Sequence, residues 1–147
     1  MADSIKVQAM RKLEEVLAAI PELGSVNRWH GKPIDLDRVK LPALFLFEEE
    51  ERRDKRNRLA VGEIKLHLMT FISLTPAGQV SFNDVADNLQ GKIHNALITT
   101  AELNGLVTNL VEGMVRKEFP NDLYGVLYQD FDITYFHNWG DAFSVVY

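Results

Sequence analysis

Ten of the eleven residues from Glu48 to Arg58 are charged, with four consecutive glutamates giving way to a basic stretch. A segment of that composition has no place in an apolar core, because each unpaired charge would lose its hydration without compensation. Its neighbours are of the opposite kind. Leu44-Phe45-Leu46-Phe47 precedes it, and from Leu59 to Ile72 apolar and polar residues alternate. The pairing predicts two strands joined by a solvated tip, a long β-hairpin at the centre of the chain. Five acids and five bases make that tip neutral overall and strongly dipolar.

The rest of the chain supplies the elements such a hairpin needs for cover. Ile5, Ala9, Leu13, Val16, Leu17 and Ile20 recur at helical spacing, predicting a helix over Ser4 to Ile20 with Asp3 or Ser4 as cap and Pro21 and Gly24 as its end. A short strand near Val26 and a long loop follow. Pro42 lacks a backbone donor and so opens the first hairpin strand. On the return strand Ile64, Leu66, Leu68 and Ile72 share one face, while Glu63, Lys65, His67 and Ser73 share the other, as a sheet with one wet or partner-facing side requires.

Ser81 with Asp84 resembles a capping box, and Phe82, Val85, Ala86, Leu89, Ile93, Ala96 and Leu97 form the stripe of a second helix. After a break near Asn104-Gly105, two strands are expected, Leu106 to Arg116 and Leu123 to His137, paired antiparallel. Eight of the fourteen aromatic residues lie between Tyr124 and Tyr147, so Asn138 to Tyr147 is expected to be ordered, either as the last strand of its own sheet or on a neighbour's sheet edge. The reading is one α+β domain over residues 1–147: an antiparallel or mixed sheet, two main helices on one face, a charged hairpin tip at 48–58 and a carboxy-terminal extension at 138–147.

At 147 residues one domain buries about 70% of its unfolded surface and folds without staples. The absence of cysteine excludes disulfides, thiol catalysis and thiolate metal sites. A net charge of −5 argues against a general nucleic-acid coat. No stretch approaches the ~20 apolar residues of a membrane span, and the amino terminus lacks the basic leader and apolar core of a signal peptide. The expected compartment is the cytoplasm.

Candidates for chemistry are sparse. His30, His67, His94 and His137 fall in different elements without metal-ligand spacing. Asp130 and Asp132 project from one face of a strand, and Asp35 and Asp37 repeat the spacing in a loop. Such a pair can hold a divalent ion or share a proton, and a small metal-dependent hydrolase built on Asp130, Asp132 and a nearby histidine is the rival reading. A wet strand face is the simpler one. No phosphate-binding glycine loop or nucleophile elbow is present, no cofactor is implied, and the expectation is a non-enzyme. The charged tip is the candidate interface: Glu48, Glu49, Glu50, Glu51, Arg52, Arg53, Lys55, Arg56 and Arg58. In a ring, the acidic flank of one copy would face the basic flank of the next. A third reading is a binding module that dimerises through the wet side of its sheet.

The order of elements resembles the tail terminator (tail completion, minor tail protein U-like) family of long-tailed bacteriophages and prophages. The resemblance runs through IKVQAMRKLEEVLAAIPEL, LPALFLFEEEE, EIKLHLMTFISL, FNDVADNLQGKIHNAL, AELNGLVTN and VLYQDFDITYF, nearly the whole chain. It implies an α+β subunit that forms a ring, usually hexameric, at the head-proximal end of the tail tube. Such a ring ends tube polymerisation and presents a head-tail joining surface. The implied partners are other copies of the chain, the tail tube protein and a head-completion or connector protein, with no membrane and no sequence-specific nucleic acid. The implied locations are the virion and, during assembly, the host cytoplasm. The family offers no catalytic residues to carry over.

Overall fold

The structure is a computed structural model that describes residues 4–29, 33–56, 59–74, 78–99, 109–121, 123–138 and 140–145. Helix α1 spans Ile5–Ala18, capped by the Ser4 side chain, which accepts from the Val7 amide at 3.3 Å. Strand β1 (Ser25–Arg28), a 3-10 turn (Leu36–Arg38), β2 (Ala43–Arg56), β3 (Leu59–Ser73), helix α2 (Gly78–Thr99), β4 (Asn109–Glu118), β5 (Tyr124–Asn138) and β6 (Asp141–Val145) follow. The fold is α+β with a six-stranded mixed sheet in the order β1-β2-β3-β5-β4. β1 runs parallel to β2, all other pairs are antiparallel, and β6 lies along β5.

The core follows from period 2 in the strands and 3.6 in the helices. Leu44 and Leu46 on β2, Ile64, Leu66 and Leu68 on β3, and Phe131 and Ile133 on β5 point one way. They are buried together with Ile5, Leu13 and Leu17 of α1 and Ile93 and Leu97 of α2. Both helices therefore cover the same face. Phe82, Ala86 and Leu89 extend that cover over Ile72 and Leu127. Each such aliphatic side chain contributes about 1.5–3 kcal/mol through the apolar surface it removes from water.

Two strand glycines are fixed by this packing. A Cβ at Gly125 would run into the Phe82 ring, and one at Gly62 would fall inside the ring of Tyr135, its direct cross-strand partner. Gly62 thus lets a tyrosine lie flat across the sheet.

Three expectations change. The charged run is strand rather than tip: β2 continues to Arg56, held by pairing from Ala43↔Phe71 to Arg56↔Leu59. Ladder hydrogen bonds override the poor strand propensity of Glu, Arg, Asp and Lys. The hairpin is also no free two-stranded arm, because β3 pairs with β5 as far as Leu59↔Asn138. Helix α2 begins at Gly78, three residues before the expected cap at Ser81, and runs to Thr99. Of the two placements expected for the carboxy-terminal segment, Asp141–Val145 takes the first, as strand β6 pairing with β5 of its own sheet at His137 and Asn138. Asn104-Gly105 and Leu106 to Thr108 lie outside the described residues, as do His30, Asn57, Arg58, Trp139, Val146 and Tyr147.

Candidate functional site

One residue decides where the charges of β2 point. Glu48 pairs with Leu66 and Glu50 with Lys65, so Glu49 is an extra residue, a β-bulge. Plain alternation would put Glu48 and Glu50 on one face and Glu51 on the other. The bulge instead returns Glu51 to the face of Glu48, the face that the helices cover.

On that face the amino-terminal end of α1 supplies a cation. Lys6 Nζ lies 2.7 Å from Glu48 Oε2 and 2.5 Å from Glu51 Oε2. Arg28 on β1 joins them, its Nη2 3.1 Å from Glu48 Oε1 and its Nε 3.3 Å from Glu14. The Tyr135 hydroxyl donates to Glu51 Oε1, and Arg53 Nε donates to the same oxygen at 2.9 Å. Burial alone would raise the Glu51 carboxyl, but hydrogen bonds from Lys6, Tyr135 and Arg53 outweigh it and hold Glu51 at about 2. Burial and the hydrogen bond to Glu51 push the Tyr135 phenol up. Partial burial opposes the Lys6 ammonium, yet Glu48 and Glu51 raise it.

On the open face the centre of the site is His67 of β3. Its Nδ1 is 2.5 Å from Asp130 Oδ1 on β5, its cross-strand partner, and its Nε2 meets Glu49 of the bulge. Phe47 stacks on the imidazole at 5.1 Å, and Trp29 packs edge-on against Phe47 at 5.0 Å. A cleft of about 340 Å³ lies here, lined by Phe47, Glu49, His67, Met114, Arg116, Tyr128 and Asp130. The Arg116 guanidinium sits over the Tyr128 ring at 4.5 Å, a cation–π contact. Met114 comes from a second register shift, in β4 between Glu112 and Val115. The cleft is therefore bounded by irregularities in both strands that flank the β3–β5 pair.

Three of the four glutamates of the candidate interface are thus occupied inside the subunit: Glu48 and Glu51 beneath the helix end, Glu49 on His67. Among its basic members Arg52 is exposed and lines a second cleft, of about 440 Å³, with Glu63, Lys65, Asp132 and Thr134. Arg53 and Lys55 are exposed as well. The side chains of Glu50 and Arg56 fall outside the described residues.

Asp130 and Asp132 do share a face, as expected, but they do not act as a pair: Asp130 binds His67, while Asp132 stands opposite Lys65. Asp35 caps the 3-10 turn, accepting from the Asp37 amide at 3.1 Å, which accounts for that spacing locally. His94 Nδ1 approaches Glu112 at 3.3 Å, and His137 stacks on Tyr135. Among the described residues no three His, Asp or Glu side chains are grouped to hold a metal ion, and no helix is long and apolar enough to cross a membrane.

Two features escaped the sequence reading. Gln129 is fully buried on the inner face, donating to Glu112 at 2.9 Å and to the Gln90 carbonyl at 3.4 Å, while the Gln90 side chain donates to Glu112 at 3.0 Å. Its position between Leu127 and Phe131 was a readable sign. The Lys6 contacts had no local sign, since they span more than forty residues of chain.

No protein-family model and no curated protein matches the chain. Among solved structures it is similar to a chain of the virion of a native gene transfer agent particle, with a TM-score of 0.56 at 13% identity over 91% of this chain and 96% of that one. The likeness is one of fold, and it extends over almost the full length of both chains.

Proposed function

We propose that this protein is a non-enzymatic structural subunit of a phage-like virion, a tail terminator that assembles into a hexameric ring on the head-proximal end of the tail tube. The observation that carries the reading is the shared fold: a virion component and this chain cover one another almost end to end. The order of helix, hairpin, helix and hairpin supports it independently, because it follows the pattern of the tail terminator resemblance. In this reading the ring ends tube polymerisation and offers its other face to a head-completion protein.

The occupied acids refine the expected contact between copies. With Glu48, Glu49 and Glu51 bound within the subunit, the distal hairpin presents exposed bases to the neighbour or to the tube, Arg52 on the open face and Lys55 on the other. Size-exclusion chromatography with light scattering, alone and after mixing with the cognate tail tube protein, tests this. A hexamer in either sample, dispersed by Arg52→Glu with Lys55→Glu, is the expected result. A stable dimer in both samples overturns the ring in favour of the binding module, and metal-dependent turnover would favour the hydrolase.

A further inference from the structure

We infer that Glu49, His67 and Asp130 form a pH-sensitive pin that locks the bulge of β2 and, through it, the charged distal half of the hairpin. The inference concerns the chain by itself and does not depend on the ring.

Both imidazole nitrogens face carboxylate oxygens, Nδ1 on Asp130 and Nε2 on Glu49. An ionised carboxylate only accepts, and neutral imidazole has a single N–H, so the two contacts coexist only when the ring is the doubly protonated imidazolium. In that state one side chain ties together β2, β3 and β5. Loss of one proton leaves one N–H for two acceptors, and one carboxylate is released.

The surroundings favour release of Glu49. Asp130 projects from the middle of β5, in ladder register with His67 on β3, and its chain neighbours Gln129 and Phe131 are paired with β4 on the other side of the strand. Glu49 sits on the bulge, outside the ladder, and it is the more exposed of the two. It also stands in a run of four glutamates. The other charged groups facing the ring are Arg116 from β4, at the cleft wall, and the Lys65–Asp132 pair two residues further along β3 and β5. Arg116 is drawn to Tyr128 and to Glu118, 3.2 Å away, and Lys65 lies opposite Asp132, so neither replaces the imidazolium as partner of Glu49.

Release matters because the bulge sets the facing of everything beyond it. The contacts of Lys6 and Tyr135 with Glu51 require the alternation that Glu49 resets. Partial burial opposes charging of His67, but Asp130 and Glu49 together raise its pKa above 6.5. The closed hairpin therefore binds more protons than the opened one. Its extra stability is complete below 6.5 and is lost as the pH rises through the folded-state value.

The test is NMR on the full chain: the imidazole titration of His67, and hydrogen-exchange protection factors for the Glu51 to Lys55 amides, from below pH 6.5 to about pH 9. Protection in the wild type is expected to fall about tenfold for each unit by which the His67 pKa stands above its ordinary value. In His67→Gln it is expected to be flat with pH, at the wild-type high-pH level. Glu49→Gln, on an exposed side chain and so tolerant of folding, is expected to lower the His67 pKa and give the same flat profile. Wild-type protection that stays constant through the His67 titration overturns the inference, as does a His67 that titrates at or below its ordinary value.

Discussion

The inner face of the sheet is one continuous surface with two chemistries. Near α1 and α2 it is Leu44, Leu46, Leu66, Leu68 and Phe131, buried and apolar. Further along the same strands it is Glu48, Glu51 and Arg53 around Lys6 and the Tyr135 hydroxyl. The change falls where α1 begins. Beneath the helices, apolar area removed from water holds the strands to their cover. At the helix end, charge-assisted hydrogen bonds on a lysine and a tyrosine join the packing. A strand can thus outrun its core where each inward carboxylate has a named donor.

The contrast can be broken from either side. Phe131→Ala, in the apolar half, should cost about 3–5 kcal/mol by leaving a cavity in a close-packed layer, seen as a large drop in the urea midpoint. Gly62→Val, at the boundary, should cost about 1–3 kcal/mol, because the new side chain must displace the Tyr135 ring; a double variant with Tyr135→Ala should recover part of the loss if that collision is the cause. Glu51→Gln, in the polar half, should cost about 1–2 kcal/mol at neutral pH, allowing for partial exposure.

That last difference carries a pH signature. Glu51 is lowered from 4.5 to about 2, so its contribution is complete above 4.5 and fades as the pH falls toward 2. Urea midpoints of wild type and variant should converge over that interval, and a constant gap would sink the assignment. Smallest of all, Arg52→Glu on the exposed face should shift the melting temperature hardly at all, its effect appearing in association instead.

Much of the architecture was legible because it is written in short-range periodicity. The Ile64-Leu66-Leu68 and Phe131-Ile133-Tyr135 alternations and the Phe82 to Leu97 stripe specify strand, face and cover without knowledge of neighbours. The candidate site was legible in composition and not in geometry. Glu48 to Arg58 read as a tip because charge argues against burial, and it took the β3 and β5 ladders to show strand. The bulge turns on a register offset of one residue, which the pattern Glu48-Glu49-Glu50-Glu51 does not disclose, since all four are the same residue. Lys6 meets Glu51, and His67 meets Asp130, across distances in the chain that no local window spans.

The unpaired Glu49 also gives the hairpin a tolerance that none of its other paired positions has. Removing any residue within the ladder would turn every side chain between the cut and the tip to the opposite side, trading the lysine-facing carboxylates for their solvent-facing neighbours. Excising Glu49 shortens the strand yet leaves Glu48, Glu51 and Arg53 aimed as before. A lineage of such proteins can therefore gain or lose a residue at this place without redrawing the surface beyond it.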